Sequence, residues 1–227
     1  MNNELDVAAL ESVGFAENYN NHVLRLFTRK LKVNEKIVDF GAGYGLFTNK
    51  LITLGYDVTS IEINEKAIKI LKNNNIENYK NIVQVNKKID SIISLNVLEH
   101  IDDDLSTLKS LNKALKKGGK LYLYLPASKL VWTKLDELVN HKRRYSKKSL
   151  SHALENSQFE IKEIHYVDFI GWAVLLTSKI LKLDLDFNKE RIIFYDRFIF
   201  RFFKFLDYIF KYFIGKNIFV EAEKISD

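Results

Sequence analysis

The sequence predicts an α/β fold built on a doubly wound, mostly parallel sheet, and two observations carry that expectation. The first is Ile37-Val38-Asp39-Phe40-Gly41-Ala42-Gly43-Tyr44-Gly45, where an apolar β-branched run passes through three alternate glycines into a helical pattern at Leu46 and Phe47. The second is the alternation of strand-like and helix-like segments from there to Leu125, the pattern of repeated βα units. Sheets of this kind bind ligands at their C-terminal strand ends, where the glycine turn falls. The glycines allow a sharp turn and a ligand lying against bare backbone. The helix start behind them presents N–H groups. A dinucleotide fingerprint would need its third glycine one position later, and that position is Leu46. The spacing therefore speaks against a dinucleotide. On these residues alone, a turn without a ligand stays open.

The 227 residues are 47% hydrophobic and 13% aromatic, enough to bury one substantial core, so 1–227 is expected as one domain with a helical cap at 1–34. Without cysteine there is no disulfide, thiolate metal site or cysteine nucleophile, which fits a reducing cytoplasm. No metal site is expected. Met1 to Ala9 is acidic and polar, unlike a secretory leader. No run of about 18 apolar residues offers a membrane span. The net charge of +6 is dispersed along the chain, so it reads as solvated surface and no nucleic-acid partner is expected.

Taken in order, Asn18 to Leu31 carries Val23, Leu24, Phe27 and Leu31 at helical spacing and is expected over the cofactor end of the sheet. Leu46 to Leu54 is a helix closed by Gly55. Tyr56 to Ile63 is the second strand, ending in Glu62 about twenty residues after the turn, where nucleotide-type sites hold ribose hydroxyls. The third strand is expected at Ile76 to Tyr79. Ile82–Val85 and Ser91–Leu95 lie too close together for a parallel crossover, so Asn81 to Val85 reads as a helical turn. Asp90 to Val97 is a buried-type strand. A helix follows, with Asp102, Asp103 and Asp104 at its start and Lys116-Lys117-Gly118-Gly119 as its basic end and glycine cap. Lys120 to Leu125 is a further strand, stopped at Pro126.

The string Asn96-Val97-Leu98-Glu99-His100-Ile101 follows the acid-x-Gly-x-Gly-x-Gly turn and precedes the Gly118-Gly119 turn. Together these motifs resemble class I S-adenosylmethionine-dependent methyltransferases. The resemblance implies a Rossmann-like fold with a seven-stranded, mostly parallel sheet and an antiparallel last strand. Phe159–Phe169 and Asn217–Glu223 would form its final hairpin, with a helical insertion at 171–215 between them. It implies S-adenosylmethionine as cofactor, S-adenosylhomocysteine as product, and a cofactor site drawn from Tyr19, Asp39, Gly41, Ala42, Gly43, Gly45, Glu62, Ile63, Asn96, Val97, Leu98 and His100. Asn18-Tyr19-Asn20, and Asp136 with His141-Lys142-Arg143-Arg144-Tyr145, are similar to a bacterial branch that accompanies glycosyltransferases. The third-strand region lacks the acid that many relatives use near adenine. The Asn/Asp-Pro-Pro-aromatic string of base N-methyltransferases is also absent, which argues against nucleobase acceptors.

Residues 126–150 are expected to meet the acceptor. His141 is the candidate base, histidine being the residue type that titrates near neutrality. Arg143 or Arg144 could grip an anionic or sugar oxygen, and Tyr145 could cap the pocket. The alternative is a structural clasp, with Arg144 paired to Asp136 and Ser146 capping a helix from Lys147. His100 reads either as a contact beside the methionine end or as a structural hydrogen bonder. In 191–214, Arg197, Arg201, Lys204 and Lys211 share one helical face, with Asp196 and Asp207 at its edge and a wide aromatic face opposite. That segment is a lid on the body or on a second copy in a homodimer, or an interfacial helix on an anionic membrane. The expected activity is O-methylation of a small-molecule or glycan-related acceptor. A lipid or quinone-type acceptor at the inner membrane face, and a binding module without catalysis, are the alternatives.

Overall fold

A computed structural model describes residues 12–86, 88–183, 186 and 188–225. The first eleven residues of the expected cap, and 184, 185 and 187 of the expected insertion, lie outside it. Seven strands form one sheet: β1 (Lys36–Phe40), β2 (Asp57–Ile61), β3 (Asn78–Tyr79), β4 (Ile89–Leu95), β5 (Leu115–Pro126), β6 (Phe159–Val167) and β7 (Asn217–Lys224). Their spatial order is β3-β2-β1-β4-β5-β7-β6. All neighbours from β3 to β5 are parallel, while β7 lies antiparallel to both β5 and β6. The expected sheet, its antiparallel last strand and the insertion before it are therefore present. The third strand is short, and the turn after it is Ile82–Gln84.

Alternate strand residues serve opposite faces, as the two-residue pleat requires. Val38, Leu121, Leu123 and Leu125 face a cluster completed by Leu108 and Leu111 of α4 (Asp104–Ala114) and by Leu150 and Leu154 of α6 (Lys147–Glu155). Ile37, Tyr122, Tyr124 and Phe219 face the other cluster, which α1 (Glu17–Thr28) and α2 (Leu46–Thr53) close with Val23, Leu24, Phe27 and Leu51. Helix α1 thus covers a face of the sheet rather than its cofactor end, because its apolar stripe needs the sheet's apolar surface. Only its first turn, with Tyr19, reaches the strand ends. Helix α3 (Glu65–Asn73) follows β2 and is capped by the Asn64 side chain, which accepts from Lys66 N and Ala67 N.

Two local expectations are corrected. Lys116-Lys117-Gly118-Gly119 does not cap α4. The chain turns extended at Leu115, and the glycines make an irregular entry into β5, where the β4 register jumps between Ile89 and Ser91. Gly118 takes φ +71, and a Cβ on Gly119 would lie 2.8 Å from the Lys116 carbonyl oxygen. A positive-φ glycine serves a helix end and a bulge equally well, so the motif was readable either way.

The insertion is also not one amphipathic helix. It comprises α7 (Phe169–Ile180), α8 (Lys189–Phe194), a π-helical turn (Tyr195–Phe200) running into α9 (Arg201–Phe203), and α10 (Leu206–Phe210). The wide turn shifts the side-chain phase, so a single wheel misplaces the acids. Asp196 is buried and accepts from Asn18 N (2.9 Å), Asn18 Nδ2 (2.9 Å) and Tyr19 N (2.8 Å). Asp207 accepts from Asp168 N (3.0 Å) and Phe169 N (2.7 Å). Phe200 is buried edge-on against Tyr19. Both acids anchor the insertion to the body. Asp196→Ala strands the donors that the carboxylate satisfied and should cost about 2–4 kcal/mol of stability. Urea unfolding will measure that loss, and limited proteolysis should show faster cleavage within 188–210.

Candidate active site

The strand order reverses direction between β1 and β4, which makes the carboxyl ends of these strands the crevice where an open α/β sheet takes its ligand. Gly41, Gly43 and Gly45 adopt φ of +81, +55 and +79 there, the left-handed region that side chains disfavour. Gly41 is needed for a second reason, since a Cβ on it would lie 2.3 Å from Val97 Cγ2. The β1 loop and the β4 end are packed that closely. Gly41 N and Ala42 N donate to the Ile61 carbonyl (2.8 and 3.1 Å), and Gly45 N donates to the Ala42 carbonyl (2.9 Å). Gly43 N donates to Glu62 Oε2 at 2.7 Å. These loop amides are spent inside the protein. What these positions offer a ligand is bare backbone and the Glu62 carboxylate beside it.

Glu62 Oε1 accepts from Ile63 N (2.7 Å) and Asn64 N (2.8 Å), which aims the group. A carboxylate has about four acceptor positions, so one stays open beside the loop. Ile63 next to it is 70% exposed, an apolar side chain at the crevice edge. Asp39 lies buried beneath the turn and accepts from Thr48 Oγ1 at 2.6 Å, tying β1 to α2. On the other wall Asn96 takes φ +51, donates its amide to the Tyr124 carbonyl (2.8 Å) and accepts from Asn217 Nδ2 (3.4 Å). The Tyr19 and Tyr124 hydroxyls are 2.7 Å apart. Burial pushes the Tyr19 phenol up to about 12, against a smaller opposing pull from Lys216. Leu98 is wholly buried in the core, so only its backbone can line the crevice.

Of the acceptor-side candidates, the structure brings His100 and His141 together and commits Arg144 and Tyr145 elsewhere. Helix α5 (Lys134–Leu138) starts with Thr133 N donating to Asp136 Oδ2 at 2.9 Å. His141 N returns to the Asp136 carbonyl (2.8 Å), a tight turn with Asn140 at φ +57. That geometry sets His141 Nδ1 2.7 Å and Arg144 Nε 2.8 Å from Asp136 Oδ1. Arg144 also donates to the Ala127 carbonyl at 3.0 Å, so the clasp is realised. Ser146 does cap α6, accepting from Ser149 N. Tyr145 is buried and donates its hydroxyl to Asp104 Oδ2 at 2.7 Å, and Arg143 pairs with the same acid.

Glu99, absent from the expected site, is fully buried beside this group. Its Oε1 lies 3.8 Å from His141 Nε2, and the His100 and His141 rings stand 4.8 Å apart edge to face. Burial pushes the Glu99 carboxyl up to about 8, opposed by the Arg144 charge. Burial acts the same way on Asp136, but hydrogen bonds from His141 and Arg144 hold it below the usual carboxylate range. An acid followed by a histidine just past a buried strand was the available signal for Glu99.

Asp39 supplies a pH test of the turn. Burial, with a smaller push from Glu62 and against the Thr48 bond, raises its carboxyl to about 6. A folded value above the unfolded one of about 3.9 means stability that is complete below pH ~4 and lost as pH rises through 6. The stability of wild type relative to Asp39→Asn should therefore fall by about 3 kcal/mol between pH 4 and 7, as read from urea midpoints.

Comparison with known proteins identifies the family and the fold. The chain is 26% identical over 121 residues to the ubiquinone biosynthesis O-methyltransferase of Idiomarina loihiensis, covering 48% of this chain and 46% of that protein. It is 30% identical over 99 residues to the protein of that name from Pelagibacter ubique, covering 40% and 41%. The chain thus spans less than half the length of these curated relatives. Among solved structures, a SAM-dependent methyltransferase from Archaeoglobus fulgidus superposes with TM-score 0.61 at 20% identity, over 89% of this chain and 92% of that one. A family model described as a methyltransferase domain matches residues 15–164. With that match covering more than half of its length, the chain belongs to the methyltransferase domain family, in the S-adenosylmethionine-dependent class I fold.

Proposed function

We propose that this protein moves the methyl group of S-adenosylmethionine to a hydroxyl oxygen of a small-molecule or glycan-related acceptor. The observation that carries the reading is His141, held by Asp136 through Nδ1, with Nε2 turned to the end of β4 beside Glu99 and His100. The cradle fits the cofactor. Its glycines leave room for a close backbone approach, Glu62 has an acceptor position for ribose, and exposed Ile63 gives the adenine an apolar face. Tyr19, Asn96 and the backbone of Val97 and Leu98 would line the methionine end. Asp39, beneath the turn, would hold Ala42 and its neighbours in place.

When bound, the sulfonium supplies a methyl carbon open to in-line displacement. The chain's part is to align the acceptor oxygen, keep water out and remove one proton. Asp136 fixes the His141 ring with Nδ1–H toward the carboxylate, which leaves the Nε2 lone pair to accept the acceptor's hydroxyl proton. The names of the curated relatives, O-methyltransferases, favour oxygen over nitrogen as the acceptor atom.

A screen with radiolabelled methyl donor against sugars, lipid-linked sugars and quinone precursors should find one class that is labelled. His141→Gln should lower the rate 10²- to 10⁴-fold while calorimetric affinity for S-adenosylhomocysteine is kept. Failure to bind either form of the cofactor would overturn the enzyme reading in favour of a binding module.

A second reading, an acceptor reached at a membrane surface, is favoured by the outward face of the insertion. Phe194, Phe198, Phe202, Phe205, Tyr208 and Phe213 are all more than half exposed there, with exposed Arg197 and Arg201 interleaved. Among the described residues no helix is long and apolar enough to cross a membrane, so contact would be interfacial. Phe210 stacks on Phe169 at 3.9 Å and belongs to the body. Phe202→Ser, Phe205→Ser and Phe213→Ser combined should abolish sedimentation with anionic vesicles and leave cofactor affinity unchanged.

A further inference from the structure

Glu99 presents an unusual situation. Its side chain is fully buried, and neither oxygen accepts a hydrogen bond from another side chain among the described residues. Arg144, the nearby permanent cation, donates Nε to Asp136 and Nη1 to the Ala127 carbonyl and makes no hydrogen bond to Glu99. A carboxylate withdrawn from water without such partners is costly, and a bound cation is one way to remove the cost. One ligand atom each from Glu99, His100 and His141 lie within 4.8 Å of one another. Donors around a tetrahedral ion at ~2.1 Å stand about 3.4 Å apart, so modest side-chain rotation would close the triangle.

We infer that Glu99, His100 and His141 hold a divalent first-row transition-metal ion, with Zn2+ the best-matched species, at the acceptor side of the site. Two imidazoles and one carboxylate suit such an ion, whereas Mg2+ and Ca2+ favour oxygen donors throughout. Asp136 completes the arrangement. Bonded to His141 Nδ1, it fixes the tautomer whose Nε2 points at the shared centre, the carboxylate–histidine support that metal ligands commonly carry. Three protein donors leave a fourth position for an acceptor oxygen.

The role of the ion rests on the methyl-transfer reading above and refines it. With the ion bound, His141 is a ligand rather than a proton acceptor. The acceptor hydroxyl, acidified on the metal, releases its proton to water. Its oxygen then forms the bond to the methyl carbon as the carbon–sulfur bond breaks and the electron pair stays on sulfur. The expectation of no metal site rested on the absence of cysteine. The third ligand comes from a loop about forty residues further along the chain, which no local spacing displays.

The test uses the full chain, stripped with chelator and titrated with ZnCl2 by calorimetry and with CoCl2 by visible absorption. One ion per chain is expected at micromolar affinity or tighter, with cobalt bands of a four- or five-coordinate site. Glu99→Gln and His141→Gln should each weaken binding about 100-fold, while His152→Gln, outside the cluster, should leave it unchanged. Absence of stoichiometric binding, or binding that survives both ligand substitutions, overturns the inference. S-adenosylhomocysteine affinity, measured on the same samples, separates the two claims. If it is intact where zinc fails, only the metal site falls. If zinc binds and the homocysteine derivative does not, only the methyl-transfer reading falls.

Discussion

The contact between Gly41 and Val97 is the constraint on which the rest of the site depends. A backbone with no side chain lets the β1 loop close onto the β4 end, and any Cβ would force them apart. With the two ends in contact, Gly43 reaches Glu62, Asn96 reaches Tyr124, and His100 comes to the same mouth. One wall of the crevice therefore offers a carboxylate and an apolar edge. The other offers polar groups and the turn that leads to Glu99. The proposed placement of the ribose at the first wall and the reacting centre at the second rests on this division.

Carboxylates do the positioning around His141. Asp136 holds His141 and Arg144 through one oxygen and the start of α5 through the other, so a single buried group orders a loop without regular structure. Asp196 and Asp207 do the same for the insertion, each accepting backbone amides from elements distant in sequence. Charge-assisted bonds of this kind are strong where water is excluded. They are also few.

Much of the fold was legible because it is written in local patterns. The β1 turn and Glu62 just after β2 follow from side-chain period and glycine placement, the antiparallel pairing of the last two strands follows from the family resemblance, and all stand where expected. The insertion misled because the π-helical turn at Tyr195–Phe200 breaks the period on which any wheel rests. Asp196, read as an edge charge, is an anchor. Arg144 and Tyr145 have the chemistry of ligand contacts, yet Asp136 and Asp104 claim them. Glu99 escaped notice because its significance depends on His141, and pairing across that separation is a tertiary fact.

The position of β7 has a kinetic consequence. β7 lies between β5 and β6, and among the described residues β6 pairs with no other strand. While the chain is being synthesised, β6 emerges some fifty residues before β7, the strand it pairs with. It cannot join the sheet until β7 has been made. The same strand brings Asn217 to Asn96 and Tyr19, so the crevice wall that these residues form is completed only once β7 is in place. The half from β1 to β5 can assemble early, but a nascent chain paused before residue 217 has an incomplete site and an exposed β5 edge. That interval is when a holding chaperone would matter most to this protein.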